Sequence, residues 1–231
     1  MTTLLIIFAK EPVAGQVKTR FSPPLSLKEA AELYLCFLKD ILEEMGRWPE
    51  LHLALAYSPP EARSFFQGLA PPATRLFPQE GDDLGTRMAR AFDWGFAAGF
   101  EVVLLRGSDT PDLPGAFLLQ AREVLATGQA EVALGPSPDG GYYLVGLKAP
   151  QPELFRGQTW STAAVLEETL GRAQRLSLRV HLIPSWPDLD TYDDLLAFLT
   201  RPHPIPLPGW RSDLMARKLL SQEGNLASPK D

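Results

Sequence analysis

The chain has 231 residues, of which 45% are hydrophobic and 22% charged, enough apolar content for one well-formed core. Its net charge of -6, from 22 basic and 28 acidic residues, excludes a general basic face for nucleic acid or an anionic membrane. A single cysteine, Cys36, excludes an intramolecular disulfide and a cysteine-based zinc site and fits a reduced cytoplasmic setting, and no apolar run approaches the roughly 18 residues that span a bilayer.

Leu4 to Ala9 is a continuous apolar run that reads as a buried strand. It leads straight into Lys10-Glu11-Pro12-Val13-Ala14-Gly15-Gln16-Val17-Lys18-Thr19-Arg20, a cationic loop with one glycine. Strand ends in open α/β sheets face the ligand crevice, so Lys10, Lys18 and Arg20 are placed to spread charge over phosphate oxygens, with Gly15 allowing close backbone approach. Spacing excludes two familiar phosphate loops: Val17 rather than glycine precedes Lys18-Thr19, and no G-x-G-x-x-G is present. An ordinary solvated basic loop is the alternative reading.

Ser26-Leu27-Lys28-Glu29 is a capping-box pattern, followed by apolar residues at helical spacing from Ala30 through Leu33, Tyr34 and Phe37 to Leu42, ending at Gly46. Cys36 lies in this helix as a small hydrophobe. Next come a strand over Leu51 to Tyr57, a helix over Pro60 to Gln67, a short strand over Thr74 to Phe77, and a helix over Asp83 to Ala98 begun by acidic residues. Arg87, in its first turns, either touches a phosphate or pairs with a neighbouring acid.

A Val-Val-Leu-Leu strand over Glu101 to Arg106 ends in Gly107-Ser108-Asp109-Thr110-Pro111-Asp112. Asp109 at that strand end suits a Mg²⁺ or Mn²⁺ ion on a diphosphate, which needs only one or two protein carboxylates. Capping of the following helix, Pro114 to Ala126, is the structural alternative. Strands over Glu131 to Gly135 and Tyr142 to Leu147 flank Asp139-Gly140-Gly141, a hairpin signal. The same residues offer backbone and a carboxylate to the hydroxyls of an acceptor or sugar. Trp160 either lines a pocket or sits at the core edge, Ser161 caps a helix running to about Ala173, and Arg179 to Ile183 is a strand.

Pro187-Asp188-Leu189-Asp190-Thr191-Tyr192-Asp193-Asp194 brings four carboxylates to a last strand-to-helix junction. Asp190 is expected as second metal ligand with Asp188 behind it, or else as the N-cap of a helix with Asp193 in its first turn. His52, His181 and His203 have no ligand spacing, which excludes a histidine metal site or triad. The alternation predicts a mostly parallel sheet with helices on both faces and an antiparallel insertion after residue 131. A proline-rich extension follows residue 201, extended over Pro202 to Pro208 and carrying a short helix, so the expected division is residues 1–201 and 202–231.

Taken in order, Phe8-Ala9-Lys10-x-Pro12-x-x-Gly15-x-x-Lys18-Thr19-Arg20, Gly107-Ser108-Asp109-x-Pro111, Gly135-Pro136-x-x-Asp139-Gly140-Gly141-Tyr142 and Asp188-x-Asp190-Thr191 resemble a bacterial family of glycosyltransferase-like proteins. That family is the nucleotide-diphospho-sugar transferases of the GT-A fold, in the transferase 1 group associated with radical-SAM and selenodomain proteins. The resemblance, over about residues 3–200, implies a Rossmann-like three-layer α/β sandwich and a nucleotide held by Ala9, Lys10, Pro12, Gly15, Lys18, Arg20, Arg87 and Ser108. It further implies a divalent metal held through Asp109, and the residues themselves add Asp190 as second metal ligand, an acceptor or sugar against Asp139, Gly140, Gly141, Tyr142 and Trp160, and catalysis by Asp139, Lys18 and Arg20. Asp109-Thr110-Pro111-Asp112 departs from the glycosyltransferase D-x-D, and the Gly-x-x-Lys-x-Arg loop is also similar to that of guanylyltransferases acting on phospholactate or molybdopterin. The expected activity is therefore sugar transfer from a nucleotide sugar, with nucleotidyl transfer and then non-catalytic nucleotide binding as alternatives.

Overall fold

A computed structural model describes residues 1–200 and 210–222. In chain order the elements are β1 (Thr3–Lys10), α1 (Leu27–Met45), β2 (Leu51–Ser58), α2 (Arg63–Leu69), β3 (Arg75–Pro78), α3 (Leu84–Ala97) and β4 (Val102–Arg106). They continue as α4 (Gly115–Ala126), β5 (Val132–Pro136), β6 (Tyr142–Leu147), α5 (Val165–Arg175), β7 (Val180–Leu182), α6 (Tyr192–Thr200) and α7 (Arg211–Gln222). The expectation of an extended segment over Pro202 to Pro208, and His203 with it, lies outside the described residues.

One seven-stranded sheet has the order β3-β2-β1-β4-β6-β5-β7. Only β6 runs against its neighbours, pairing antiparallel with both β4 and β5, while the other six strands share a direction. Every residue of β1 before Lys10 is buried, and its side chains alternate between two cores, as a strand's two-residue period requires. Leu5 and Ile7 join the core beneath α1, with Phe37, Leu118 and Phe198, whereas Leu4 and Ile6 join the opposite core with Met88, Phe92 and Ala173. This is the expected three-layer sandwich, and it gathers the carboxyl ends of six strands, with the start of β6, along one edge.

Two helix starts differ from expectation. Ser161 does not cap α5: it has a positive φ of 65°, and the helix begins only at Val165, after Ala164. Nor is Asp190 the cap of α6. Thr191 Oγ1 accepts from Asp194 N–H, and Asp194 Oδ2 accepts from Thr191 N–H, a reciprocal cap that leaves the Asp190 carboxylate for other work.

The last helix belongs to the same body. Ala216, Leu219 and Leu220 of α7 join the core beneath α1, and Asp40 of α1, almost fully buried, receives the first turn of α7. Its carboxylate accepts from Arg211 N–H, Ser212 N–H at 2.8 Å, Ser212 Oγ and the Arg211 guanidinium, and it is favourably placed at the positive end of the α7 dipole. Asp40→Ala strands those donors and is expected to lower unfolding free energy by about 2–3 kcal/mol. Urea denaturation measures the loss, and hydrogen exchange should show α7 amides opening before those of β1.

Candidate functional site

The edge where the parallel strands end is cut by a cleft of about 720 Å³, lined by loops that leave β1, β3, β4 and β7 and by the β5–β6 hairpin. Lys18 lines it and joins its loops. The residue sits in the left-handed region, φ 47°, at the start of a single helical turn over Thr19–Phe21, and its ammonium is turned inward until the side chain is only 6% exposed. There it meets Asp109 from the β4 loop, Asp190 Oδ1 at 2.9 Å, and the Leu189 carbonyl at 2.6 Å. The Phe21 ring lies 5.8 Å away. Burial pushes the ammonium toward neutrality, but Asp109 and Asp190 outweigh it and hold the pKa above the ordinary lysine value. The same two loops are joined directly, since Leu189 N–H donates to the Asp109 carbonyl at 2.9 Å.

Two further polar groups hold the loops from below. Arg106, at the end of β4, is 1% exposed, donating to the Gly107 carbonyl and to both the carbonyl and the hydroxyl of Thr110. Burial pulls its guanidinium down to about 10 against the attraction of Asp112, Tyr143, Asp188 and Asp109. Tyr34 of α1 accepts from Lys10 N–H at 3.1 Å and shares a 2.7 Å hydrogen bond with Ser108 Oγ, so one phenol joins the β1 and β4 loops. Burial, then the Asp109 charge, pushes that phenol up to about 12. Gln79 does similar work at the β3 end, where its amide N–H₂ donates to the Ala9 and Ala56 carbonyls. Asp188 is half-buried, and burial followed by Asp109, Asp190 and Asp139 raises its carboxyl to about 7.

On the other side, Asp139 tops the hairpin, with Oδ1 taking hydrogen bonds from Ser137 Oγ at 2.5 Å and Gly141 N–H at 2.9 Å. Gly140 has φ 90°, and a Cβ there would stand 2.1 Å from the Ala163 carbonyl oxygen. Its own carbonyl accepts from Leu166 N–H, so the hairpin is locked to the first turn of α5 and, through Ala163, to the segment before it. Trp160 of that segment crosses the start of α3, filling the place a side chain at Gly85 would take.

Most of the residues singled out from the sequence meet in this cleft: Ala9, Lys10, Lys18, Arg20, Arg87 and Ser108 on one side and Asp139, Gly141, Tyr142 and Trp160 on the other, with Asp109 and Asp190 between. Pro12, Gly15 and Gly140 do not line it: Gly15, φ 81°, shapes the loop, and Gly140 shapes the hairpin. Arg87 is partly engaged, its Nε donating to the Gly81 carbonyl, while Arg20 is 68% exposed and lies 3.9 Å from Asp190. Tyr34, Gln79 and Arg106 were not singled out. Arg106 carried a legible signal, a charge closing the apolar run of β4, whereas Tyr34 fits the core stripe of α1.

The sheet order and the strand-end cleft are those of the nucleotide-diphospho-sugar transferase fold. Residues 41–162 match the family described as an uncharacterized protein conserved in bacteria, DUF2064, and the chain belongs to it. A candidate nucleotide-diphospho-sugar transferase from Desulfovibrio desulfuricans G20 is 30% identical, with 98% of this chain and 99% of that one covered and a TM-score of 0.89. Two solved structures share the fold at lower identity. One is CMP:2-keto-3-deoxy-manno-octonic acid synthetase in complex with CTP, at 10% identity, 96% and 100% coverage and TM-score 0.55. The other is 4-diphosphocytidyl-2C-methyl-D-erythritol synthase from Anaerococcus prevotii DSM 20548, at 11%, 86% and 98%, and 0.55. No curated protein matches the chain.

Removing the ammonium leaves two carboxylates facing one another, so Lys18→Met is expected to reduce stability by about 1–2 kcal/mol, discounted because Asp109 and Asp190 are each over 40% exposed. Because the folded-state pKa of Lys18 is raised, the contribution is fully present below the unfolded lysine value and is lost only as pH rises through the higher folded value. The gap between wild type and variant in urea should therefore stay constant from about pH 7 to 9.5.

Proposed function

We propose that this protein is a metal-assisted transferase that takes a nucleotide-diphospho-sugar and passes its glycosyl group to a small-molecule acceptor. The observation that carries the reading is the meeting of Asp109 and Asp190 on one ammonium nitrogen, beside the exposed guanidinium of Arg20. Two carboxylates already within reach of a single cation, with hard oxygen donors, fit Mg²⁺ or Mn²⁺, the remaining positions being left to phosphate and water. Bound there, such an ion would neutralise charge on a departing nucleoside diphosphate. Lys18 and Arg20 supply charged hydrogen bonds to the diphosphate oxygens, and Lys10 and Arg87 add positive potential at the same end of the cleft. Ser108, oriented by Tyr34, offers a further polar contact.

Asp139 is the base of this reading. With its Oδ1 held by Ser137 and Gly141, Oδ2 remains to take the proton of an acceptor hydroxyl. The transferase description of the 30% identical relative supports sugar transfer. Nucleotidyl transfer, with pyrophosphate leaving, uses the same cations, and it is the second reading because two structures sharing the fold are a CMP-sugar synthetase and a diphosphocytidyl-methylerythritol synthase.

Phosphorus NMR of the protein with Mg²⁺ and a panel of nucleotide sugars and acceptors is expected to show nucleoside diphosphate accumulating. Arg20→Ala should weaken nucleoside diphosphate binding by about 10- to 100-fold, the equivalent of one charged hydrogen-bond partner. Asp109→Asn should abolish the Mg²⁺ dependence of that binding in calorimetry. Pyrophosphate released from nucleoside triphosphates, with every nucleotide sugar left intact, would instead establish the nucleotidyl reading.

A further inference from the structure

Chain order sorts the cations of the cleft. Each one that lines it precedes β4: Lys10 ends β1, Lys18 and Arg20 lie in the loop after it, and Arg87 lies in α3, near Asp82 and Asp83. From β4 onward, across β6, β5 and β7, each charged residue lining the cleft is an aspartate: Asp109, Asp139, Asp188 and Asp190. Arg106 lies under this half but shows the cleft no charge, since it is 1% exposed and its donors are taken by Gly107 and Thr110. Lys18 reaches the boundary, where its ammonium lies between Asp109 and Asp190.

The wall beyond that boundary has a definite chemistry. Tyr142 and Trp160 present aromatic surface, and Ser137 and Thr162 present hydroxyls beside the Asp139 carboxylate. The wall is also stiff, because Gly140 abuts the Ala163 carbonyl and Trp160 is wedged over Gly85. Aromatic rings take the C–H faces of a ligand, and carboxylate oxygens accept from its hydroxyls. A phosphate or carboxylate on that ligand would face Asp139 and Asp188, and no lysine or arginine from β4 onward lines the cleft to pair it.

Resting on the assignment of the β1-loop side to a diphosphate, we infer that the side over β6, β5 and β7 takes an acceptor that bears hydroxyl groups and carries no phosphate or carboxylate. The inference narrows the substrate class beyond sugar transfer in general, and it sets this half apart from a site built for phosphorylated acceptors.

The test is a titration of the full chain, with Mg²⁺ and a nucleoside diphosphate present, followed by amide and indole NMR shifts. The probes are matched pairs: glucose with glucose 6-phosphate, and glycerol with glycerol 3-phosphate. Neutral members are expected to move the Gly140, Gly141 and Trp160 indole signals, and their phosphorylated partners to act there at least about tenfold more weakly, equivalent to about 1.4 kcal/mol. Charged partners captured by the β1 loop would be recognised by shifts at Val17 and Thr19 instead. The inference is overturned if phosphorylated members move the hairpin signals as readily as the neutral ones, or if no neutral member moves them. The diphosphate assignment is scored separately, by shifts at Val17 and Thr19 on adding the nucleoside diphosphate alone. Silence there removes that assignment while the hairpin result still stands by itself. Trp160→Phe, which keeps an aromatic face, should retain the preference, and Asp139→Lys should reverse it.

Discussion

A buried ammonium group can persist only where opposite charge and hydrogen bonds replace its water, and the arrangement around Lys18 meets that condition with groups drawn from three loops. Residue 18 reaches residues 109, 189 and 190, so the connections after β1, β4 and β7 share a single atom. Apart from the single turn over Thr19–Phe21, the described segments that meet at this nitrogen have no helix or strand to set their course along the strand ends. Their positions relative to one another follow from this contact and from the backbone bond between Leu189 and Asp109. The cleft takes its shape from an electrostatic knot as much as from the sheet below it.

Around that knot, polar side chains are placed where an apolar core would otherwise close. Arg106 holds the turn after β4 from inside, Tyr34 reaches up from α1 to both the β1 and β4 loops, and Gln79 binds the ends of β1 and β2 to that of β3. Each group satisfies backbone atoms left over where the ladder of the sheet stops. Truncating such a residue leaves a buried polar partner unsatisfied, a larger penalty than the contact itself is worth.

Much of this was legible in the residues. The apolar run from Leu4 to Ala9 as a buried strand, the capping box at Ser26 and the acidic start of α3 at Asp83 are local signals that the structure realises as read. The ordered motifs pointed to the fold, and the family match and the sheet order agree with it. What escaped was set by partners distant in sequence. Ser161 resembled a cap, but the Gly140–Leu166 hydrogen bond and the packing of Ala163 carry the chain past it before α5 begins. Asp190 resembled a cap too, yet Thr191 and Asp194 do that work, because an aspartate that can bind a lysine 172 positions away is better used there. Tyr34 was indistinguishable from a core residue, since its ring is one and only its hydroxyl reaches the loops after β1 and β4. Asp40 was not singled out, because nothing near it in the sequence announces that α7 covers it.

That late arrival bears on how the protein is made. The face of α1 that α7 covers emerges from the ribosome early, and its cover follows well over a hundred residues afterwards, so the growing chain displays unprotected apolar surface for most of its synthesis. Asp40 keeps a carboxylate in the middle of that surface during the wait. A hydrated charge among leucines makes the bare helix a poor partner for other nascent chains, and the same charge becomes the anchor for the helix that finally hides it.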